Sequence, residues 1–154
     1  MGGSLEILLG GPAHGAVLMA LAEQAAAERS AGMMKPQRET LRRLLVDAAA
    51  GRVYLALVRG REAGHVIVTF GVSVRSAGRV AMIEECFVSR DYRGSGFEER
   101  IIRAVLRDLS AFGLVEATLL CSGACGIEEV VARVGFTPSG ERMYRIALDE
   151  PGDD

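Results

Sequence analysis

The chain lacks the residues from which several kinds of protein are built. Its 154 residues include no tryptophan, two histidines and three cysteines, and aromatic residues make up 5% of the total. An odd number of cysteines in apolar segments predicts reduced, mostly buried thiols rather than a disulfide framework. Cys121 and Cys125 have neither a second cysteine pair nor a neighbouring histidine, so we expect no metal site.

Strong charge and long apolar runs are also missing. The formal net charge is −2, which gives no electrostatic reason to expect nucleic acid as the main partner. No apolar run approaches the roughly 18–20 residues of a membrane span, and the first residues do not resemble a signal peptide. With 49% hydrophobic and 25% charged residues, the composition is ordinary for a globular protein. The expected reduced cysteines and the lack of a membrane span predict a cytoplasmic protein that is not bound to a membrane.

The length predicts one domain over residues 1–148, followed by a disordered acidic tail at 149–154. Apolar residues recur with period 2 in some segments and with the helical period of about 3.6 in others. The predicted strands are 5–9, 53–58, 65–74, 80–88, 115–121 and 141–148. The predicted helices are 12–30, 36–50 with Gly51 as a C-terminal cap, 97–112 and 127–134.

Short turns join the strands between residues 53 and 88, which predicts an antiparallel meander. A helix separates residues 80–88 from 115–121, so these two strands should run parallel through a right-handed crossover. We therefore predict an α/β fold. Its central sheet would be mixed, mostly antiparallel and of about six to seven strands, flanked on both faces by four helices.

One glycine-rich loop follows the strand that ends at Val88. Residues 93–96 read Arg-Gly-Ser-Gly, and an amphipathic helix opens at Phe97. A loop of this kind presents main-chain amides at a helix N-terminus, where anions and above all phosphates bind. Ser95 and Glu98 also fit a capping box, in which they would satisfy the amides that a phosphate needs. We favour phosphate binding over a plain helix cap.

The order of elements, together with Ile83–Val88 and Asp91–Phe97, resembles the GNAT superfamily of acyl-CoA-dependent N-acetyltransferases. The loop is similar to that family's acetyl-CoA motif, and Gly135-Phe136 resembles the pair that closes its last helix. The resemblance implies acetyl-CoA as cofactor, with its pyrophosphate on the loop and its pantetheine arm between two splayed parallel strands. The implied cofactor-binding residues are Phe87, Val88, Arg93, Gly94, Ser95, Gly96, Phe97 and Glu98.

The resemblance also implies transfer of an acetyl group to a primary amine of a small molecule or peptide by direct attack. Glu84 aligns with the acidic residue that serves as base in some members of the family, and Glu85 is the second candidate. Neighbours on a strand point to opposite faces, so we expect only one of them to face the acceptor. The sequence does not identify the acceptor, and it is compatible with a homodimer.

Two positions depart from the family's pattern. Glu98 stands where the motif ends in Gly or Ala, and Val131 stands where a tyrosine usually protonates the departing thiolate. Ser122, Cys125, Tyr144 or water are the remaining candidates for that acid. These departures keep a second interpretation open, a catalytically inactive GNAT-like binding or regulatory module. A dinucleotide-binding domain fits less well, because the loop lacks the third glycine.

The two histidines receive a structural interpretation. His14 and His65 have no acidic partner near them in the sequence, so we predict that each is a surface or turn residue.

Overall fold

A computed structural model describes residues 3–121 and 126–148. Its described strands form a single sheet in the order β1 to β5, with antiparallel pairing up to β4 and parallel pairing between β4 and β5. The strands are β1 (Leu5–Leu9), β2 (Gly51–Val58), β3 (Arg61–Ser73), β4 (Gly78–Val88) and β5 (Glu116–Leu119). The predicted mixed, mostly antiparallel sheet is confirmed, with five described strands rather than six to seven.

Helices cover both faces of this sheet, as predicted. They are α1 (Gly15–Glu28), α2 (Lys35–Leu44), α3 (Phe97–Ala111) and α4 (Glu128–Val134). The apolar stripe of α3 packs on one face of the sheet, while α1 and α2 pack on the other, and each face has its own buried cluster. Burial of these stripes stabilises the layers, at about 25 cal/mol per Å² of apolar surface. No helix in the described ranges is long and apolar enough to cross a membrane.

Two predicted boundaries are wrong. Helix α2 ends at Leu44, and Gly51 begins β2 instead of capping the helix. A Cβ atom on Gly51 would lie 2.1 Å from the carbonyl oxygen of Val68, so the close approach of β3 is what requires glycine there. Glycine marks either a helix end or a tight strand contact, and the sequence does not distinguish them.

The predicted strand at 141–148 is also wrong, because these residues form no strand. The segment alternates as a strand would, yet its apolar side chains are exposed, with Tyr144 and Leu148 at 84% and 87%. Alternating apolar and polar residues suit a segment to a strand, but a strand also needs a neighbouring strand with which its main chain forms hydrogen bonds. The predicted tail at 149–154 lies outside the described residues.

The pairing of β3 with β4 contains one irregularity that matters for the site. Ile67 pairs with Glu85 and Val68 pairs with Ile83, so Glu84 is an extra residue in β4. Such a β-bulge interrupts the alternation of side chains and bends the strand.

The bulge coincides with the point where β4 and β5 part. Strand β5 pairs with Val80–Ile83 only, and the Leu120 amide makes the last contact, donating to the Ile83 carbonyl oxygen at 3.1 Å. From Glu84 to Val88, β4 is therefore paired with β3 but with no other strand of the described ranges.

Gly64 of β3 offers a test of this packing. A Cβ atom there would lie 2.2 Å from the carbonyl oxygen of Phe87, while one on Gly71 of the same strand would meet only Val80, at 3.8 Å. We expect Gly64→Ala to lower the free energy of unfolding by about 1–3 kcal/mol through overpacking. Gly71→Ala should be neutral or stabilising. Urea unfolding of both variants measures the difference, and equal effects would contradict the described approach of β3 and β4.

Candidate active site

An open cavity of about 460 Å³ lies between the helix pair α1–α2 and the strands β3 and β4. Its volume falls in the range of about 300–1,000 Å³ that small-molecule sites occupy. Much of its wall is apolar, contributed by Ala22, Ala26, Met33, Leu41, Leu44 and Ile67. The charged side chains in its lining are Arg29, Glu84 and Glu85.

Both candidate carboxylates line this one cavity, so the prediction that only one faces it is wrong. The physical reason is the bulge, because the extra residue Glu84 removes the strict alternation between neighbours. Glu84 is exposed and accepts a hydrogen bond from the Thr69 hydroxyl at 2.9 Å. The cavity therefore contains two carboxylates in different surroundings, one exposed and one half-buried.

The Glu85 carboxylate contacts two basic side chains, His65 and Arg29. His65 Nε2 lies 2.5 Å from its Oε1, and Arg29 Nη1 donates to its Oε2 at 2.8 Å. His65 is buried in β3, at 1% exposure, so its prediction as a surface or turn residue is wrong. The register of the hairpin could have located it: His65 pairs with Phe87, which makes Glu85 its diagonal neighbour on the same face.

Arg29 lines the cavity, although no sequence pattern singled it out. It follows the last residue of α1 and is linked to β4 only through the fold. No short-range pattern connects two residues so distant in the chain.

The protonation state of Glu85 follows from these contacts. Burial acts to raise its pKa, but the hydrogen bond from His65 and the charges of His65 and Arg29 lower the pKa below the ordinary value of 4.5. Glu85 is thus an anion at neutral pH. A carboxylate only accepts, so the facing His65 Nε2 carries a proton, while the buried Nδ1 has no hydrogen-bond partner among the described residues.

The glycine loop has a left-handed backbone at two positions, which its glycines permit. Gly94 and Gly96 have φ of 73° and 79°, in the left-handed region. Gly96 is the N-cap of α3, and the Ser95 hydroxyl donates to the Tyr92 carbonyl oxygen at 2.7 Å. The alternative of a capping box with Ser95 as N-cap is therefore not formed, because Ser95 closes the preceding turn instead. The Ser95 and Gly96 amides have no hydrogen-bond partner in the described chain.

Glu98 occupies another amide of the same loop. Its Oε1 accepts a hydrogen bond from the Gly94 amide at 3.1 Å. The carboxylate of the first helical turn thus folds back over the loop, where a bound anion would have to compete with it.

Arg93 is engaged away from the loop amides. Its Nε donates to the Val88 carbonyl oxygen at 2.7 Å, its Nη2 pairs with Glu28 of α1, and its guanidinium lies 5.5 Å from the Phe87 ring centroid. Arg93 therefore ties the end of β4 to the end of α1.

Three other cofactor candidates belong to the core of the domain. Phe87, Val88 and Phe97 are buried at 7%, 4% and 7% exposure, in the apolar clusters on the two faces of the sheet. Their side chains therefore contribute to the packing that fixes the end of β4 and the start of α3.

The cysteines differ from one another. Burial raises the pKa of the free Cys86 thiol to about 12, so it is protonated at neutral pH and a poor nucleophile. Cys121 is disulfide-bonded, so the prediction of three reduced cysteines is wrong at this position, which lies exposed beyond the end of β5. In the described ranges, no group of three or more His, Cys, Asp or Glu side chains could hold a metal ion.

No acid for a departing thiolate stands at the usual position. Val131 is half-buried in α4, which ends at Gly135 with φ of 116°, as the resemblance implied for that glycine. Tyr144 is 84% exposed in the segment without secondary structure. Ser122 and Cys125 lie outside the described residues.

Comparison with solved structures identifies the fold. An integron cassette protein from the mobile metagenome of Cole Harbour Salt Marsh superposes with a TM-score of 0.84 at 20% identity, over 94% of this chain and 91% of its own. A ribosomal-protein-alanine N-acetyltransferase from Brucella melitensis biovar Abortus 2308 gives 0.74 at 18% identity, over 94% and 100%. The aminoglycoside N-acetyltransferase AAC(6')-Iy, in complex with CoA, gives 0.72 at 19% identity, over 99% and 97%.

These likenesses show that the chain has the GNAT fold, and at such identities they show the fold alone. Neither the protein-family models nor the curated proteins contain a match.

The Glu85 contacts predict how stability responds to acid. Because its folded-state pKa is lowered, the ionised carboxylate stabilises the fold above the ordinary value of 4.5, and this contribution is lost as pH falls through the folded-state pKa. Glu85→Gln should therefore lose less stability than the wild type between about pH 5 and pH 3. Arg29→Gln, which removes one of the two partners, should be intermediate. Urea unfolding across this range measures the slopes, and identical slopes for wild type and Glu85→Gln would refute the assignment.

Proposed function

We propose that this chain transfers an acetyl group from acetyl-CoA to a primary amine. The observation that carries the proposal is spatial. The parting of β4 from β5 after Ile83 leaves an open strand edge, with the amide loop at 94–96 following its end and the carboxylate-lined cavity beside it. The GNAT fold of the chain, shared with solved N-acetyltransferases, supports the same activity.

The residues present fit the cofactor through their main chain. The Ser95 and Gly96 amides, with the N-terminus of α3, would hold the diphosphate, since unpaired amides and the helix dipole both favour an anion. The edge of β4 from Glu84 to Val88 would hold the pantetheine arm. Amides near Val88 would polarise the thioester carbonyl, whose carbon is the electrophile that the bound cofactor supplies.

The cavity would hold and activate the amine. Glu84 has one oxygen bonded to Thr69 and the other without a hydrogen-bond partner in the described chain, so it can accept a proton from an ammonium group, directly or through water. Glu85 is fixed by His65 and Arg29 and would hold the cavity wall in place beside Glu84. The catalytic advantage would come chiefly from holding the two reactants together.

The leaving group does not require a protein acid. A free thiol has an unperturbed pKa of about 8.5, so water can protonate the thiolate near neutral pH. The reaction would therefore be possible although Val131, at the position of the family's usual tyrosine, cannot donate a proton.

One specific contact favours the second candidate function, a catalytically inactive GNAT-like module. The Glu98 carboxylate occupies the Gly94 amide and would repel a diphosphate. For the enzyme, Glu98 must turn away when the cofactor binds.

The Glu98 contact is tested by coenzyme A affinity. We expect Glu98→Ala to bind coenzyme A about tenfold more tightly than wild type, because a competing like charge has been removed. Glu99→Ala is the matched control in the same helical turn, since Glu99 is paired with Arg103 and Arg133 instead of the loop. Calorimetric titration measures the three affinities. Unchanged affinity in Glu98→Ala would show that Glu98 does not compete with the cofactor. If neither the wild type nor Glu98→Ala binds coenzyme A, the inactive module is favoured.

The role of Glu84 is tested by thiol release. With an amine acceptor that the wild type uses, Glu84→Gln should lower the rate by about 10²–10⁴, since general-base catalysis contributes on that order. Its affinity for coenzyme A should stay the same. The defect should shrink at higher pH, where the amine arrives already deprotonated. Glu62→Gln, an exposed carboxylate in β3, is the control. A normal rate in Glu84→Gln with a large loss in Glu85→Gln would instead make Glu85 the base.

A further inference from the structure

The two carboxylates of the cavity differ in how many of their oxygens already have a hydrogen-bond partner. Both oxygens of Glu85 are occupied, Oε1 by His65 and Oε2 by Arg29. Glu84 uses only Oε1, which accepts from Thr69. The lining therefore offers one carboxylate oxygen that is still without a partner in the described chain, which suits one ammonium group.

A second ammonium group would meet an unfavourable environment. Arg29 is the cation of the lining, and its side chain is 56% exposed at the rim of the cavity. The remaining polar lining groups are neutral, contributed by Gln37, Thr40 and Thr69. A buried charge without a counter-charge is costly, and a nearby like charge adds to that cost.

The rest of the wall is suited to hydrocarbon. The methyl and methylene groups of α1, α2 and Ile67 form its apolar part, and an alkyl or aryl body placed there would leave water. The volume of about 460 Å³ accommodates such a body beyond the carboxylates.

We propose that the acceptor is a monoamine with an apolar body, and that Glu84 and Arg29 together select one ammonium group against two. This inference rests on the proposed function, because it assigns the acceptor class of the same site. It separates this cavity from one built for polycations, which would require several unpaired carboxylates. Glu84 attracts the ammonium group, while Arg29 neutralises Glu85 and repels a second cation.

The test compares ligands that differ by one charge. The full chain is titrated calorimetrically with octylamine and with 1,8-diaminooctane, without any acetyl donor. We expect octylamine to bind at least about tenfold more tightly. Arg29→Gln should narrow this difference, because the repelling cation is gone. Arg38→Gln should not, since Arg38 pairs with Glu23 and lies outside the lining.

A second ligand pair examines the alternative use of Arg29. Its guanidinium has donors beyond the one bonded to Glu85, and these could receive a substrate carboxylate. Phenethylamine and phenylalanine differ by that carboxylate, and we expect phenethylamine to bind more tightly.

Three results would overturn the inference: equal or tighter binding of the diamine, tighter binding of phenylalanine, or no binding of either monoamine. These are distinct from failure of the proposed function. That failure would appear as no coenzyme A binding and no thiol release with any amine, while the titrations without acetyl donor would still report on the cavity.

Discussion

The extra residue in β4 is the constraint on which the candidate site depends. A regular strand would send Glu84 and Glu85 to opposite faces of the sheet, and only one would reach the cavity. With Glu84 unpaired, both carboxylates line the same wall. The same irregularity lies where β5 leaves β4, so the wall with both carboxylates adjoins the part of β4 that β5 does not pair with.

Burying His65 beside this bulge has an energetic cost that its partners offset. The ring is 1% exposed, and its Nδ1 has no hydrogen bond within the described ranges, which is unfavourable for a buried polar atom. The short contact to Glu85, and the link from Glu85 to Arg29, connect β3, β4 and the end of α1. Removing Glu85 would leave the buried His65 ring without this partner, so Glu85 is the member that links the other two. The cavity wall is thereby held in place before any ligand arrives.

Much of the fold could be predicted from the sequence because its signals are local. Strand β1 and helix α3 follow from periodicity, and Gly135 ends α4 as a left-handed cap. The bulge could not be predicted, since it depends on how β3 and β4 fit across the sheet. Arg29 and Glu85 are joined by tertiary structure alone.

Three errors share a related cause. Gly51, His65 and the segment 141–148 each carried a local signal that fits more than one environment. The close approach of β3 decided the first, burial within β3 decided the second, and the third pairs with no strand of the described ranges. A lone histidine or glycine in a sequence reports its chemistry but not what surrounds it.

The loop after β4 distinguishes the two candidate functions, the enzyme and the inactive module. The Ser95 and Gly96 amides are available to a diphosphate, while Glu98 covers the Gly94 amide. In the proposed function, this loop binds the diphosphate of coenzyme A. A calorimetric titration of coenzyme A with and without inorganic pyrophosphate examines this directly. Coenzyme A should bind, and saturating pyrophosphate should weaken its binding. Absence of binding, or binding that pyrophosphate leaves unchanged, would contradict it.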